Sequence, residues 1–171
     1  YEQLLNQNYD ILTLPFSSRL SGTYHSAMMA AAEFPTGRVT VLDTLHVSVA
    51  LCNIIIKTAR AAQKGATLLE CTNIAQDAAR RIKVYFAVET LEYLHKGGRI
   101  NTASAFLGTA LNLKPILSIV DGLIVPVERV RTSRKAHQRL LELAEETVGP
   151  HGKIEFLGII SADAADGAEE L

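Results

Sequence analysis

Short apolar or β-branched runs alternate with longer stretches of helical periodicity, and this alternation constrains the fold more than any other feature of the chain. Residues 10–16 (DILTLPF) and 38–43 (RVTVLD) read as strands, with an Ala- and Met-rich helix over 23–34 between them. A long apolar helix over 47–63 stops at Lys64-Gly65. A further helix covers 67–82, opened by Thr67 and Glu70 at capping-box spacing. Strands separated by helices need crossovers, so this half predicts a mainly parallel sheet. The pattern then restarts: a strand over 83–90 (KVYFAVET), a helical turn closed by Gly97-Gly98, and a small-residue helix over 102–112. Strands over 115–120 and 123–130 meet at Asp121-Gly122, a hairpin signal. An amphipathic helix over 133–147, apolar at Ala136, Leu140, Leu143, Ala144 and Val148, leads to a last strand over 154–160 (IEFLGII). The expectation is an α/β chain of two domains, 1–81 and 82–171, the first parallel and the second mixed.

Composition narrows the function classes. With 171 residues, 48% of them hydrophobic, the chain is long enough to bury roughly 70% of its unfolded surface. A balance of 17 basic against 18 acidic side chains supplies no global pull toward nucleic acid or an anionic membrane. Two cysteines, Cys52 and Cys71, are too few for a disulfide scaffold and lack CxxC spacing, so both are expected to be buried thiols. No apolar run reaches the length of a membrane span, and YEQLLNQNYD carries no secretory signal pattern. A soluble, cytoplasmic chain without stable membrane insertion is expected. Tyr1 opens directly on a helical pattern and ADGAEEL closes on an unfinished one, so the chain is expected to be a fragment truncated at both ends.

Three stretches have the composition of binding elements. In LPFSSRLSGTYHSA (14–27) a strand ends, serines and a glycine turn the chain, and a helix opens. Ligands of α/β sheets collect outside the carboxyl ends of strands, where this turn falls. Free N–H groups at Gly22 and Thr23, the helix dipole, and the hydroxyls of Ser18, Ser21 and Thr23 suit a carboxylate or phosphate. The same residues would also make a plain helix cap. In VETLEYLHKGGRI (88–100), Arg99 projects from a double-glycine turn. In ERVRTSRKA (128–136), Arg129, Arg131, Arg134 and Lys135 gather between a strand and a helix, as an acidic partner's dock or as a solvated helix start.

Catalytic patterns are missing. The serines stand in no GxSxG elbow, and the turn is neither a Walker loop nor GxGxxG. A Ser-His-Asp set would have to borrow Asp43 and a distant histidine. Glu89 and Glu92 read as surface carboxylates. The five histidines show no metal-ligand spacing, so no metal and no cofactor are expected.

Taken in order, LPFSSRLSGTYHSA, VLDT, FAVETLEYLHKGGRI and LGTALNLKPILSIVDGLIVPVERVRTSRKA resemble the DegV family of bacterial fatty-acid-binding proteins over nearly the whole chain. The resemblance implies a two-domain α/β fold whose N-terminal sheet is parallel and Rossmann-like and whose C-terminal domain is mixed. It implies one long-chain fatty acid held between the domains and presented to a separate fatty acid kinase, which converts the carboxylate to an acyl-phosphate. Such a protein is a carrier in phospholipid metabolism and no catalyst. Residue by residue, it implies that Ser21 bonds the carboxylate, with Gly22 and Thr23 completing the turn and Ser18 beside it. Arg99, Arg131 and Arg134 are implied to face the kinase and the new phosphate. Two departures stand out: Arg19 replaces a usual Gly or Lys, and Ser161 precedes Ala-Asp where members often have His. A TSQPSP-like stretch that also touches the carboxylate would precede residue 1.

A tail slot must be apolar, and a 16-carbon chain buried at about 0.8 kcal/mol per CH₂ gains on the order of 10 kcal/mol before ordering costs. Met28 (with Met29), Phe106, Leu107 and Leu111 are candidate walls, each equally suited to ordinary core packing. Two rival readings use the same SSRLSG turn: a hydrolase or phosphotransferase with an anion cradle, and a phospho-ligand sensor.

Overall fold

The computed structural model describes residues 1–106 and 113–162, which divide into two units, Tyr1–Ile82 and Lys83–Leu171. In the first unit a short helix α1 (Glu2–Asn6) leads to β1 (Ile11–Thr13), α2 (Thr23–Ala31), β2 (Val39–Val41), α3 (Ser48–Gln63) and α4 (Leu68–Arg81). β1 and β2 pair in parallel, Ile11 beside Val39 and Thr13 beside Val41, with α2 as their crossover. Both strands therefore end at the same edge, and the chain after each of them meets there. α4 is capped as its sequence predicts: Thr67 accepts from the Glu70 amide while the Glu70 carboxylate accepts from the Thr67 amide. Ile54 of α3 packs against Ala75 and Ala78 of α4, with Leu14 and Leu42 from the strand ends closing the core. The two alanines let the helices approach closely enough for Ile54 to be wholly buried.

The second unit runs β3 (Tyr85–Ala87), α5 (Glu92–Lys96), a 3₁₀ turn over Asn101–Phe106, β4 (Lys114–Val120), β5 (Leu123–Val130) and α6 (Ser133–Val148). β3, β4 and β5 form an antiparallel sheet in that order. The β4–β5 hairpin turns through Asp121 (φ 49°) and Gly122 (φ 76°), the double left-handed conformation that an Asp-Gly pair supplies. Register slips once, between Ile116–Glu128 and Leu117–Pro126, where a proline without an N–H interrupts the ladder. One face is closed by α6: Ala136 and Leu143 bury Ile116 against Val130, Ala87 and Leu140. The chain is thus a mixed α/β fold with a parallel and an antiparallel sheet.

Three expectations are corrected. The small-residue helix over 102–112 is a 3₁₀ turn over Asn101–Phe106, and the rest of that stretch lies outside the described residues. Asn101 starts the turn with a left-handed backbone (φ 43°), and its side-chain oxygen accepts from the Ile124 amide, so the segment is shaped by β5 instead of by α-helical hydrogen bonds. Residues 154–160 form no strand. Among the described residues no strand offers them a ladder, and Ile154, Phe156, Leu157, Ile159 and Ile160 are all exposed. Cys52 is exposed on α3, because it lies between the buried positions Leu51 and Ile54 on the turn that faces outward; Cys71 is buried.

Candidate functional site

The turn after β1 is built on a buried serine. Ser17 is wholly buried; its carbonyl accepts from the amides of Leu20 and Ser21, and its Oγ accepts from the Arg19 amide. Those bonds curl SSRLSG into a compact bend that delivers Ser21, Gly22 and Thr23 to the start of α2. Ser21 Oγ and Thr23 Oγ1 lie 2.8 Å apart, and Ser21 Oγ also accepts from the Thr23 amide at 3.3 Å. The Thr23 N–H, expected to be free for a ligand, is therefore used within the turn. When Thr23 donates within the hydroxyl pair, the Ser21 O–H is left to donate outward, the polarity a carboxylate requires. Gly22 is exposed, with an ordinary helical backbone (φ −71°) and open space where a Cβ would stand. Neither conformation nor intramolecular packing demands glycine there.

The second half of the site comes from the chain after β2. The Asp43 carboxylate accepts from the Ser18 amide (3.3 Å to Oδ1, 3.4 Å to Oδ2) and from the Leu45 amide at 3.0 Å. Ser17 N–H donates to the carbonyl of His46 at 3.0 Å. The sequence carries Asp43 in the VLDT stretch and as a possible member of a Ser-His-Asp set, without assigning it to this turn. The Ser18 partner of Asp43 lies 25 residues away, after a neighbouring parallel strand, and the pairing of β1 with β2 brings the two together. Ser18 thus belongs to the turn, but its amide is spent on Asp43. Ser21, Gly22 and Thr23 form its outward-facing part.

Of the expected tail walls, Met28 and Met29 are exposed on α2, at 44% and 76%. Phe106 is half-buried beneath the Arg129 guanidinium, 4.4 Å from its ring centre, a cation–π contact. Leu107 and Leu111 lie outside the described residues. A cleft of about 400 Å³ in the first unit is lined by Leu12, Leu14, Ile55, Ala62 and Leu68 among others, none of them residues expected to touch a tail.

The basic residues sit at the ends of elements. Arg99 is exposed after Gly97-Gly98, where Gly98 has φ 72°. Arg131 and Arg134 are exposed on either side of Thr132, whose Oγ accepts from the Lys135 amide and caps α6. Glu89 lies against the same helix start. Its carboxylate is hydrogen-bonded first by Lys114 and then by Ser133, which together hold it below the ordinary carboxylate range. Among the described residues no group of His, Cys, Asp or Glu could hold a metal ion, and no helix is long and apolar enough to cross a membrane.

The family model for the uncharacterised DegV family matches residues 1–171, the full length of the chain. The chain belongs to the DegV family. A DegV domain-containing protein of Streptomyces coelicolor is 40% identical over 150 residues, covering 87% of this chain and 53% of its own length. Among solved structures, a DegV family protein from Thermus thermophilus described by its fatty acid binding superposes with a TM-score of 0.81 at 37% identity, over 86% of this chain and 52% of that one. DegV of Bacillus subtilis, described as a fatty acid binding protein, gives 0.73 at 30% identity, over 86% and 53%. This DegV chain spans about half the length of the relatives it matches.

Proposed function

We propose that the protein is a fatty-acid carrier of the DegV kind. In this reading the domain over 1–81 holds the carboxylate of one long-chain fatty acid through the outward O–H of Ser21, with Gly22 leaving room for the headgroup and Thr23 fixing the serine. Ser18 and Asp43 set the turn. The observation that carries the reading is the SSRLSG turn itself, fixed at the carboxyl ends of two parallel strands with one hydroxyl left to donate outward. The fatty-acid binding of two relatives at 30% identity or more adds support.

The domain over 82–171 offers Arg99, Arg131 and Arg134 to a cytoplasmic fatty acid kinase. There a carboxylate oxygen of the bound acid attacks the terminal phosphorus of a nucleoside triphosphate held by the kinase, the bond from that phosphorus to the diphosphate oxygen breaks with its electron pair going to the departing diphosphate, and the acyl-phosphate is formed. The carrier performs no chemistry; its arginines balance the charge of the transferred phosphate. Phe106, half-buried beneath Arg129, and Met28 and Met29 are the described side chains assigned to the acyl tail.

The test is mass spectrometry of the full-length protein purified from a bacterial host, first native and then denatured. One fatty-acid mass per protein, released on denaturation, is the expected result. A protein that is empty and refuses added fatty acid overturns the reading, and turnover of an ester or phosphoester by the purified protein alone replaces it with an enzyme.

A further inference from the structure

We infer that His46 is the positioning residue of the carboxylate-holding turn; the inference rests on the reading of that turn given above. His46 follows β2 and is 93% buried, at 7% exposure. Its carbonyl accepts the Ser17 amide at 3.0 Å, so the residue at the root of the turn hangs directly from it. Its ring is held at one point: Nε2 lies 2.9 Å from the carbonyl of Ala79, near the end of α4. A carbonyl can only accept, so Nε2 carries the proton and donates. Nδ1 has no hydrogen-bond partner among the described residues, which leaves the Nε2 bond as the single polar anchor of the ring.

The backbone around this anchor is kept in a form that needs holding. Leu45 (φ 57°) and Ser48 (φ 55°) are both left-handed without being glycine, a conformation that costs energy at each position. The His46 amide is tied to Thr44 Oγ1, and Asp43 closes the other side through Leu45 and Ser18. The 43–48 loop is thus a strained strap. One end grips the turn at Ser17 and Ser18, and the imidazole pins it to α4, whose last turn runs into the boundary between the two units.

Unpinning the ring releases the strap and lets the turn drift, so its effect should follow the carboxylate and leave the tail alone. The two amide isosteres of imidazole separate this from general packing. Gln at 46 can place a donor where Nε2 stands, whereas Asn mimics Nδ1 and cannot reach Ala79. The experiment measures binding of palmitate and of hexadecanol, which has the same tail without the carboxylate, to wild type, His46→Leu, His46→Asn and His46→Gln. Hydrogen exchange at Ser17 and Ser18 is followed in parallel. The expected result is a loss of palmitate affinity of fivefold or more in the Leu and Asn variants, hexadecanol affinity unchanged, Gln within about twofold of wild type, and faster exchange only in Leu and Asn. Equal losses for both ligands, or a Gln variant as weak as Asn, overturn the inference. If wild type binds neither ligand, the proposed function fails. The pinning is then judged by exchange alone, and unchanged exchange at Ser17 in the Leu variant overturns it too.

Discussion

At the scale of single residues, the proposed site assigns Ser21 and Gly22 to the ligand and Ser17, Ser18 and Asp43 to holding the turn. In the proposed function, removing the Ser21 hydroxyl forfeits a hydrogen bond to a carboxylate, about 1.5–3 kcal/mol. Ser21→Ala is therefore expected to weaken fatty-acid binding about tenfold or more, with little change in thermal stability, as read by ligand displacement and a melt. Gly22 gives a sharper test. Ala at 22 meets no steric neighbour and has an allowed backbone, so the substitution should leave stability unchanged or raise it by about 0.5 kcal/mol. Binding should nevertheless fall, because the methyl occupies the approach to the turn; unchanged binding would remove Gly22 from the site. Ser21, Gly22 and Thr23 were legible from residue type and from their place between a strand and a helix. Asp43 and His46 were not, because the partners that tie them to the turn, Ser17, Ser18 and Ala79, lie 25 or more residues away and no local pattern encodes that adjacency.

At the scale of elements, what the sequence made legible was what is held by neighbours in the chain. The α4 capping box was readable because both of its partners lie three residues apart. Glu70 is held below its usual range by the Thr67 amide and then by the Thr67 hydroxyl. A carboxylate whose folded value is depressed contributes stability above its unfolded value, and that stability is lost as pH falls through the folded one. Glu70→Gln should therefore flatten the acid limb of a stability–pH curve between about pH 5 and pH 2. An unchanged limb would mean that the cap contributes nothing to α4. The Asp121-Gly122 turn was readable for the same local reason. Gly122→Ala forces an L-residue into φ 76° and should cost about 1–2 kcal/mol in a urea titration. The run over 154–160 misled because its apolar residues are typical of a strand, while a strand exists only where a neighbour completes its ladder.

At the scale of the whole molecule, the near-neutral chain keeps its exposed arginines local. If the proposed function holds, Arg131→Glu should leave fatty-acid binding intact and reduce acyl-phosphate formation with the proposed kinase, and raising salt should weaken that coupling in wild type in the same direction. If lipid binding fell as far as coupling, the arginine would belong to the lipid site. The sequence pattern restarts with the strand that opens at residue 83, and the contacts within the chain divide between Ile82 and Lys83. The two sheets also imply an order of events in time. β4 and β5 are joined by two residues and can zip in about 1–10 μs, as hairpins do. β1 and β2, only three residues each, meet across a 28-residue separation and must meet the entropy of closing that loop before they pair. Pulse-labelled exchange should then find hairpin amides protected before Leu42, whose N–H bonds Thr13 across the parallel pair. The turn proposed to cradle the lipid headgroup, hung from those two strands, would be among the last structures to set as the chain folds.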